Sequence, residues 1–394
     1  MFRNVLTLAL CQALMMSGNT LMITSAALVG SSLADNKALA TLPLALQFLA
    51  TMLMTIPAAM IMRRIGRQRG FAIGHLLALA GAGCAVWALF EAQFWLFCVA
   101  AVLVGAYNGF GIYYRFAAAE SVDESRRATA ISYVMAGGVI AAFIGPNMAN
   151  WTRDTVSAIP FAGGFMGLAG LYLLSLGILA MSRLPGPGEE SASGQSRPLG
   201  VIVRQPAFLA ALVAGMLGYG VMSLIMTATP LAMKGHAHDF ADTAFVIQWH
   251  VLAMFAPAFF TGHLIRRFGV MPVMVVGAIA ELACALINLH GDSLWHYWSA
   301  LFLLGLGWSF LFVGATTLLT TTYHPAERAK VQALNDFLIF TTVTFASLSA
   351  GVLQHHLGWQ AVNLGMLPAI LIILATLAWV GFRRNDALTT DSPG

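Results

Sequence analysis

Four side chains stand out for the chemistry they carry: Met222, Met226, His250 and Met254. The two methionines form a Met-x-x-x-Met pair, and His250 and Met254 form a His-x-x-x-Met pair. That spacing puts both members of each pair on one face of a helix. Three thioethers and one imidazole make a soft, uncharged ligand set, the kind that takes Cu(I). Depth follows from the rise per residue. From helix ends expected near residues 233 and 241, Met226 and Met222 lie about 10 and 16 Å deep, and His250 and Met254 about 13 and 19 Å. The chain has 20 Met, so helix packing is the commoner explanation of either pair alone. The coincidence of both pairs on successive helices at overlapping depth points to a metal site.

The elements that must position these residues are membrane helices. Hydrophobic residues make up 59% of the 394 and charged residues 9%, against about 25% charged in a soluble chain. Apolar runs of the ~20 residues that cross a bilayer are expected at 5–29, 40–62, 71–90, 94–115, 128–149, 162–182, 207–233, 241–264, 270–290, 296–322, 330–353 and 358–382. The run after Arg3 has no small-residue cleavage site and reads as a retained first helix. One long polar stretch, 183–204, holds Pro185, Pro187, Glu189, Glu190 and a Ser/Gly run. It is expected to link an N-terminal half, 1–182, to a C-terminal half, 205–394.

Lys and Arg set the orientation. With the N-terminus in the cytoplasm, seventeen of the 20 basic residues fall inside, and only Lys37, Arg153 and Lys234 fall outside. Both termini and the linker are then cytoplasmic. A multi-pass protein of a bacterial cytoplasmic membrane is expected, in contact with lipid, monomeric and without a nucleic-acid partner. The basic loops explain the pI of 9.0. Cys11, Cys84, Cys98 and Cys284 sit in apolar runs without zinc-site spacing. No Gly-x-x-x-x-Gly-Lys motif appears, and no catalytic constellation does. Neither an enzyme nor a cofactor is expected, only a secondary transporter.

An internal repeat supports two halves. Ala59-x-x-x-Arg63-Arg64-x-Gly66-Arg67 recurs as Gly262-x-x-x-Arg266-Arg267-x-Gly269. Glu124, Arg127 and Ala130 recur as Glu327, Lys330 and Ala333, and both loops share an offset of 203 residues. These loops resemble the signature of the major facilitator superfamily, over the whole chain, with Arg63 and Arg266 where that signature has Asp. The resemblance implies an all-α membrane fold of twelve helices in two pseudo-symmetric six-helix halves. It also implies a cavity lined by helices 1, 4, 7 and 10 and flanked by 2, 5, 8 and 11.

Within that superfamily the chain resembles the CcoA-type copper importers, which carry Met-x-x-x-Met in helix 7 and His-x-x-x-Met in helix 8. Thr227-Ala-Thr-Pro230 and Gln248-Trp-His250 look like the same context. The resemblance implies copper import through Met222, Met226, His250 and Met254, with copper as substrate and cytoplasmic copper acceptors as partners. A related branch is associated with riboflavin uptake. The alternative is therefore a carrier of a small organic molecule, riboflavin or an exported drug. It would use an aromatic-lined cavity with Met as adaptable packing. Asn108, Tyr107, Tyr113, Tyr114, Trp308 and Ser309 are candidates to line such a cavity. The 203-residue offset maps Met222, Met226, His250 and Met254 onto Asn19, Ile23, Gln47 and Thr51, so the soft ligands belong to one half only. His236, His238, His290, His296, His355 and His356 near the outer ends are candidates to collect metal. Glu281 in helix 9 is an intramembrane carboxyl and so a functional candidate, with a structural hydrogen bond or a protonated acid as the equal alternative because helix 9 is expected to be peripheral.

Overall fold

The computed structural model describes residues 2–123, 127–181, 184 and 197–390. Most of the expected linker, 185–196, and Arg183 lie outside the described residues. The described residues are helical with short connections, because a backbone in lipid must satisfy its own hydrogen bonds. The first half runs α1 (Phe2–Leu33), α2 (Leu42–Ile65), α3 (Arg67–Phe90) and α4 (Phe94–Gly111, continued by Tyr114–Glu120). It ends with α5 (Arg127–Met135 and Gly137–Trp151) and α6 (Ala162–Ala180). The second half runs α7 (Pro206–Gly235), α8 (Phe240–Phe255 and Ala258–Phe268) and α9 (Val270–His290). It ends with α10 (Leu294–Thr320), α11 (Arg328–His356) and α12 (Gly358–Leu364 and Leu367–Thr390). Among the described residues ten spans are continuous by length and apolarity, and α8 is an eleventh, bent by 44°. The bend falls at Pro257, whose ring removes a backbone donor. α5, interrupted at Ala136, is the twelfth. The pair Gly137-Gly138 follows it directly, and glycine weakens a helix interior.

The repeat has a structural meaning. Gly66 joins α2 to α3, and Gly269 joins α8 to α9, both at φ 88°. Only glycine takes that backbone cheaply, so each pair of helices reverses on a single residue. The 203-residue offset does not persist through the half. α3 has 24 residues and α9 has 21, so Phe90 and His290, which end them, are 200 residues apart. α4 and α10 inherit this shift. A Cβ on Gly105 would lie 2.2 Å from the Gln47 carbonyl oxygen, and one on Gly305 would lie 2.4 Å from that of His250. These are equivalent contacts: Gln47 and His250 differ by 203, Gly105 and Gly305 by 200. Asn108 is therefore the counterpart of Trp308.

The first half holds one large buried apolar cluster, and the second holds two stacked along its length. The halves meet through α1 with α7, α5 with α8, and α2 with α11. Opposite the arginine loops, the Gly351 N–H donates to Thr41 Oγ1 at 3.1 Å, and the Phe161 and Phe240 rings lie 5.0 Å apart. Asn147 donates to Gln248 Oε1 at 2.5 Å across the same end. At mid-depth Thr341 Oγ1 donates to Met52 Sδ at 3.5 Å.

On the arginine-loop side Glu120 pairs with Arg67, whose Nε donates at 2.6 Å. Fully buried Glu327 takes a fork from Arg197, at 2.8 Å from Nε and 2.7 Å from a terminal nitrogen. The backbone N–H groups of Arg197 and His324 donate to the same carboxylate at 2.7 and 2.9 Å. These donors hold the Glu327 carboxyl well below the usual range, the side-chain bond from Arg197 most of all. The end of the linker is thereby fixed to the loop between α10 and α11.

Candidate functional site

At mid-depth the two halves present different chemistry at equivalent positions. In the first half Asn19 of α1 is a shared acceptor. Gln47 Nε2 of α2 donates to its Oδ1 at 3.1 Å, and Asn108 Nδ2 of α4 donates to it at 2.8 Å. Each amide nitrogen gives one N–H to Asn19, so both amide oxygens, and the second N–H of each amide, point elsewhere. Gln47 Oε1 and Asn108 Oδ1 are buried without a partner, a costly state for a polar atom unless something fills it. The sequence supplies this layer by placing single amides in otherwise apolar helices. Gly105 lets α4 close on α2 so that the three meet.

The second half has Met222, His250 and Trp308 in the corresponding places. His250 Nδ1 lies 2.8 Å from the Leu301 carbonyl oxygen. A carbonyl only accepts, so Nδ1 carries the proton and the neutral ring offers Nε2 as an acceptor. That Nε2 has no partner, nor does Trp308 Nε1. Trp308 stacks on Phe312 at 4.9 Å, with rings 10° apart, and meets Tyr219 at 5.2 Å and Phe255 at 6.0 Å. Tyr219 also touches Phe312 and Phe340. The two walls lie close: a Cβ on Gly138 of α5 would meet the Phe255 ring at 2.5 Å, and Ile23, one turn from Asn19, packs against the buried clusters of both halves.

Behind the aromatic wall sits Glu281 of α9, fully buried, with neither carboxyl oxygen partnered. Its chain runs against Gly307, next to Trp308, and Oε1 approaches Gly218, next to Tyr219.

The four residues singled out in the sequence are all buried: Met222 1%, Met226 2%, His250 0% and Met254 7% exposed. The three methionines belong to one apolar cluster. α8 packs chiefly on α10 and on α5 of the other half, and only lightly on α7. Of the residues expected to line an organic cavity, Asn108 and Trp308 are in the site. Tyr107 and Tyr114 are not: both are fully buried in a chain of hydrogen bonds with His75, which in turn meets Ser175 at 2.8 Å. Four of the histidines expected near the outer ends have hydrogen-bond partners of their own, and His355 and His356 meet each other. His236 meets Tyr297 Oη at 2.8 Å, His238 the Asp292 carbonyl at 2.7 Å, and His290 the Leu286 carbonyl at 2.7 Å. Among the described residues no three His, Cys, Asp or Glu are grouped to hold a metal ion. Asn19 and Gln47 appear in the sequence only as counterparts of the soft ligands. The signal that marks them is their polarity at mid-span.

A bundle of twelve spanning helices in two similar halves is the architecture of a membrane transporter, and the chain belongs to the Major Facilitator Superfamily, whose model matches residues 8–338 and 219–393. It is 42% identical to the riboflavin transporter RfnT of Brucella anthropi over 95% of each chain. It is 27% identical to the uncharacterized MFS-type transporter YddS of Bacillus subtilis, over 92% of this chain and 87% of the relative. The fold matches a crystal structure of the nucleoside transporter NupG with a TM-score of 0.71 at 12% identity, over 95% of this chain and 99% of that one.

The riboflavin transporter overturns the expectation of copper import, and with it copper as substrate and copper acceptors as partners. The physical reason lies in methionine. Its flexible thioether is both a soft ligand and the usual filler of irregular apolar gaps, and spacing does not separate the two uses.

Proposed function

We propose that this chain carries riboflavin across a bacterial cytoplasmic membrane. The observation that supports the reading most is the 42% identity to a riboflavin transporter over nearly the whole of both chains. The site suits a flavin: aromatic rings for a flat ring system on one wall, unpartnered amide oxygens for hydroxyl and N–H donors on the other. Met222, Met226 and Met254 back the second-half wall as adaptable packing, and His250 contributes its free nitrogen to the site. The two halves are 1–182 and 205–394, joined by a cytoplasmic linker at 183–204, with both termini in the cytoplasm. One chain supplies both walls, so the monomer is the working unit.

The test is uptake of labelled riboflavin by a riboflavin-auxotrophic bacterium lacking its own carrier. Expression of this chain should restore growth on micromolar riboflavin, and Trp308→Leu should abolish it at normal protein levels. No uptake from a correctly inserted protein would end the riboflavin reading.

A further inference from the structure

We infer that the site holds the flavin in one orientation, with the ribityl chain in the layer of Asn19, Gln47, Asn108 and His250 and the ring system against Tyr219, Trp308 and Phe312. The inference rests on the riboflavin reading and assigns which part of the molecule each half recognises.

The argument is a balance of donors and acceptors. Gln47 Oε1, Asn108 Oδ1 and His250 Nε2 are unpartnered acceptors, while Trp308 Nε1–H is an unpartnered donor. Gln47, Asn108 and His250 are 3%, 7% and 0% exposed, so bulk water does not satisfy them. Each amide also keeps a second N–H beyond the one given to Asn19, so the layer offers acceptors and donors side by side and needs a ligand segment whose groups do both. The ribityl chain is such a segment, since every hydroxyl both donates and accepts. The isoalloxazine ring is not: it has several carbonyl and ring-nitrogen acceptors and a single N–H. The ring finds its complement on the other wall, where aromatic side chains stack and the indole N–H meets an acceptor.

Asn19 couples the two amides. Because Asn19 Oδ1 takes one N–H from each, neither amide turns over alone without breaking its bond. The layer also carries no cation. A phosphate monoester at the end of the chain would bring a double negative charge among neutral amides, and burying such a charge unpaired is prohibitive. The site therefore selects riboflavin over its phosphate ester, FMN, and over lumiflavin, the ring without the ribityl chain.

The experiment is flavin-fluorescence titration of the purified protein in lipid nanodiscs with riboflavin, lumiflavin and FMN. Wild type should bind riboflavin at least tenfold more tightly than lumiflavin, from two or more buried hydrogen bonds, and FMN more weakly still. Asn108→Leu should lose about tenfold for riboflavin and little for lumiflavin, so that the preference collapses. Gln47→Met should do the same and carries the test if Asn108→Leu does not fold. Trp308→Leu should weaken both ligands in parallel. Binding of neither flavin to wild type would overturn the riboflavin reading and this orientation with it. Riboflavin binding in which Asn108→Leu and Gln47→Met leave the preference over lumiflavin intact, or FMN binding equal to riboflavin, would overturn the orientation alone.

Discussion

Gly105 is where α4 touches the backbone of α2 under the amide layer, and Gly105→Ala tests whether that approach builds the site. The added Cβ would lie 2.2 Å from the Gln47 carbonyl oxygen and 2.9 Å from Ala50 Cβ. The first neighbour is backbone in mid-helix and has no rotamer to escape into, so the two helices must part by about 1 Å in an interior packed at crystal density. Overpacking of this kind costs about 1–3 kcal/mol, offset by the ~0.5–1 kcal/mol that alanine gains over glycine in a helix. The net is a loss of about 0.5–2 kcal/mol. The same movement carries Gln47 and Asn108 apart, so Asn19 no longer holds both of its bonds, now 3.1 and 2.8 Å, at useful length. The control is Gly83→Ala in α3, where a Cβ meets nothing within 4 Å and only the helical gain of ~0.5–1 kcal/mol remains. Thermal unfolding in detergent and riboflavin uptake read the two effects. Gly83→Ala should melt slightly above wild type with normal uptake. Gly105→Ala should melt a few degrees below it and lose most uptake. Equal melting and equal uptake for the two variants would refute the view that this contact builds the amide layer.

Other consequences are equally direct. Glu281→Leu removes two buried, unpartnered carboxyl oxygens and should stabilise the fold by about 1–3 kcal/mol; a lower melting temperature than wild type would show that the carboxyl has a partner in the membrane. Glu327 has a depressed pKa in the folded chain, so its contribution is complete above the ordinary carboxyl range and is lost as pH falls through the lowered value. Wild type should melt above Glu327→Gln at neutral pH, with the gap closing below about pH 4, and a gap that stays constant into acid would contradict the ion pair with Arg197. Gly351→Val places side-chain atoms where even a Cβ would be 2.6 Å from Thr41 Oγ1, which should hold α2 and α11 apart at the end opposite the arginine loops. A maleimide should then label Ser347→Cys faster than in the Gly351 background, and unchanged labelling would argue against this contact closing that end.

Composition and charge alone carry the architecture. Twelve apolar runs, the arginine loops and the paired Gly66 and Gly269 turns are legible because a bilayer imposes length and apolarity on every span whatever its neighbours are. The polarity of Asn19, Gln47 and Asn108 at mid-span is legible too, residue by residue. Their assembly is not. It depends on α4 closing against α2 at Gly105, a contact between positions far apart in the chain. The offset of 203 read from the loops also misaligns α4 with α10, because α9 is three residues shorter than α3, and only the packing of Gly305 on His250 shows that Trp308 stands opposite Asn108. For the same reason spacing could place Met222, Met226, His250 and Met254 at one depth, yet it could not tell which helices they face. Sequence periodicity reports the face of one helix. Which other helix fills that face is a matter of tertiary packing, and it is what gathers Met222, Met226 and Met254 into one apolar cluster and leaves the Gln47 and Asn108 amide oxygens buried without partners.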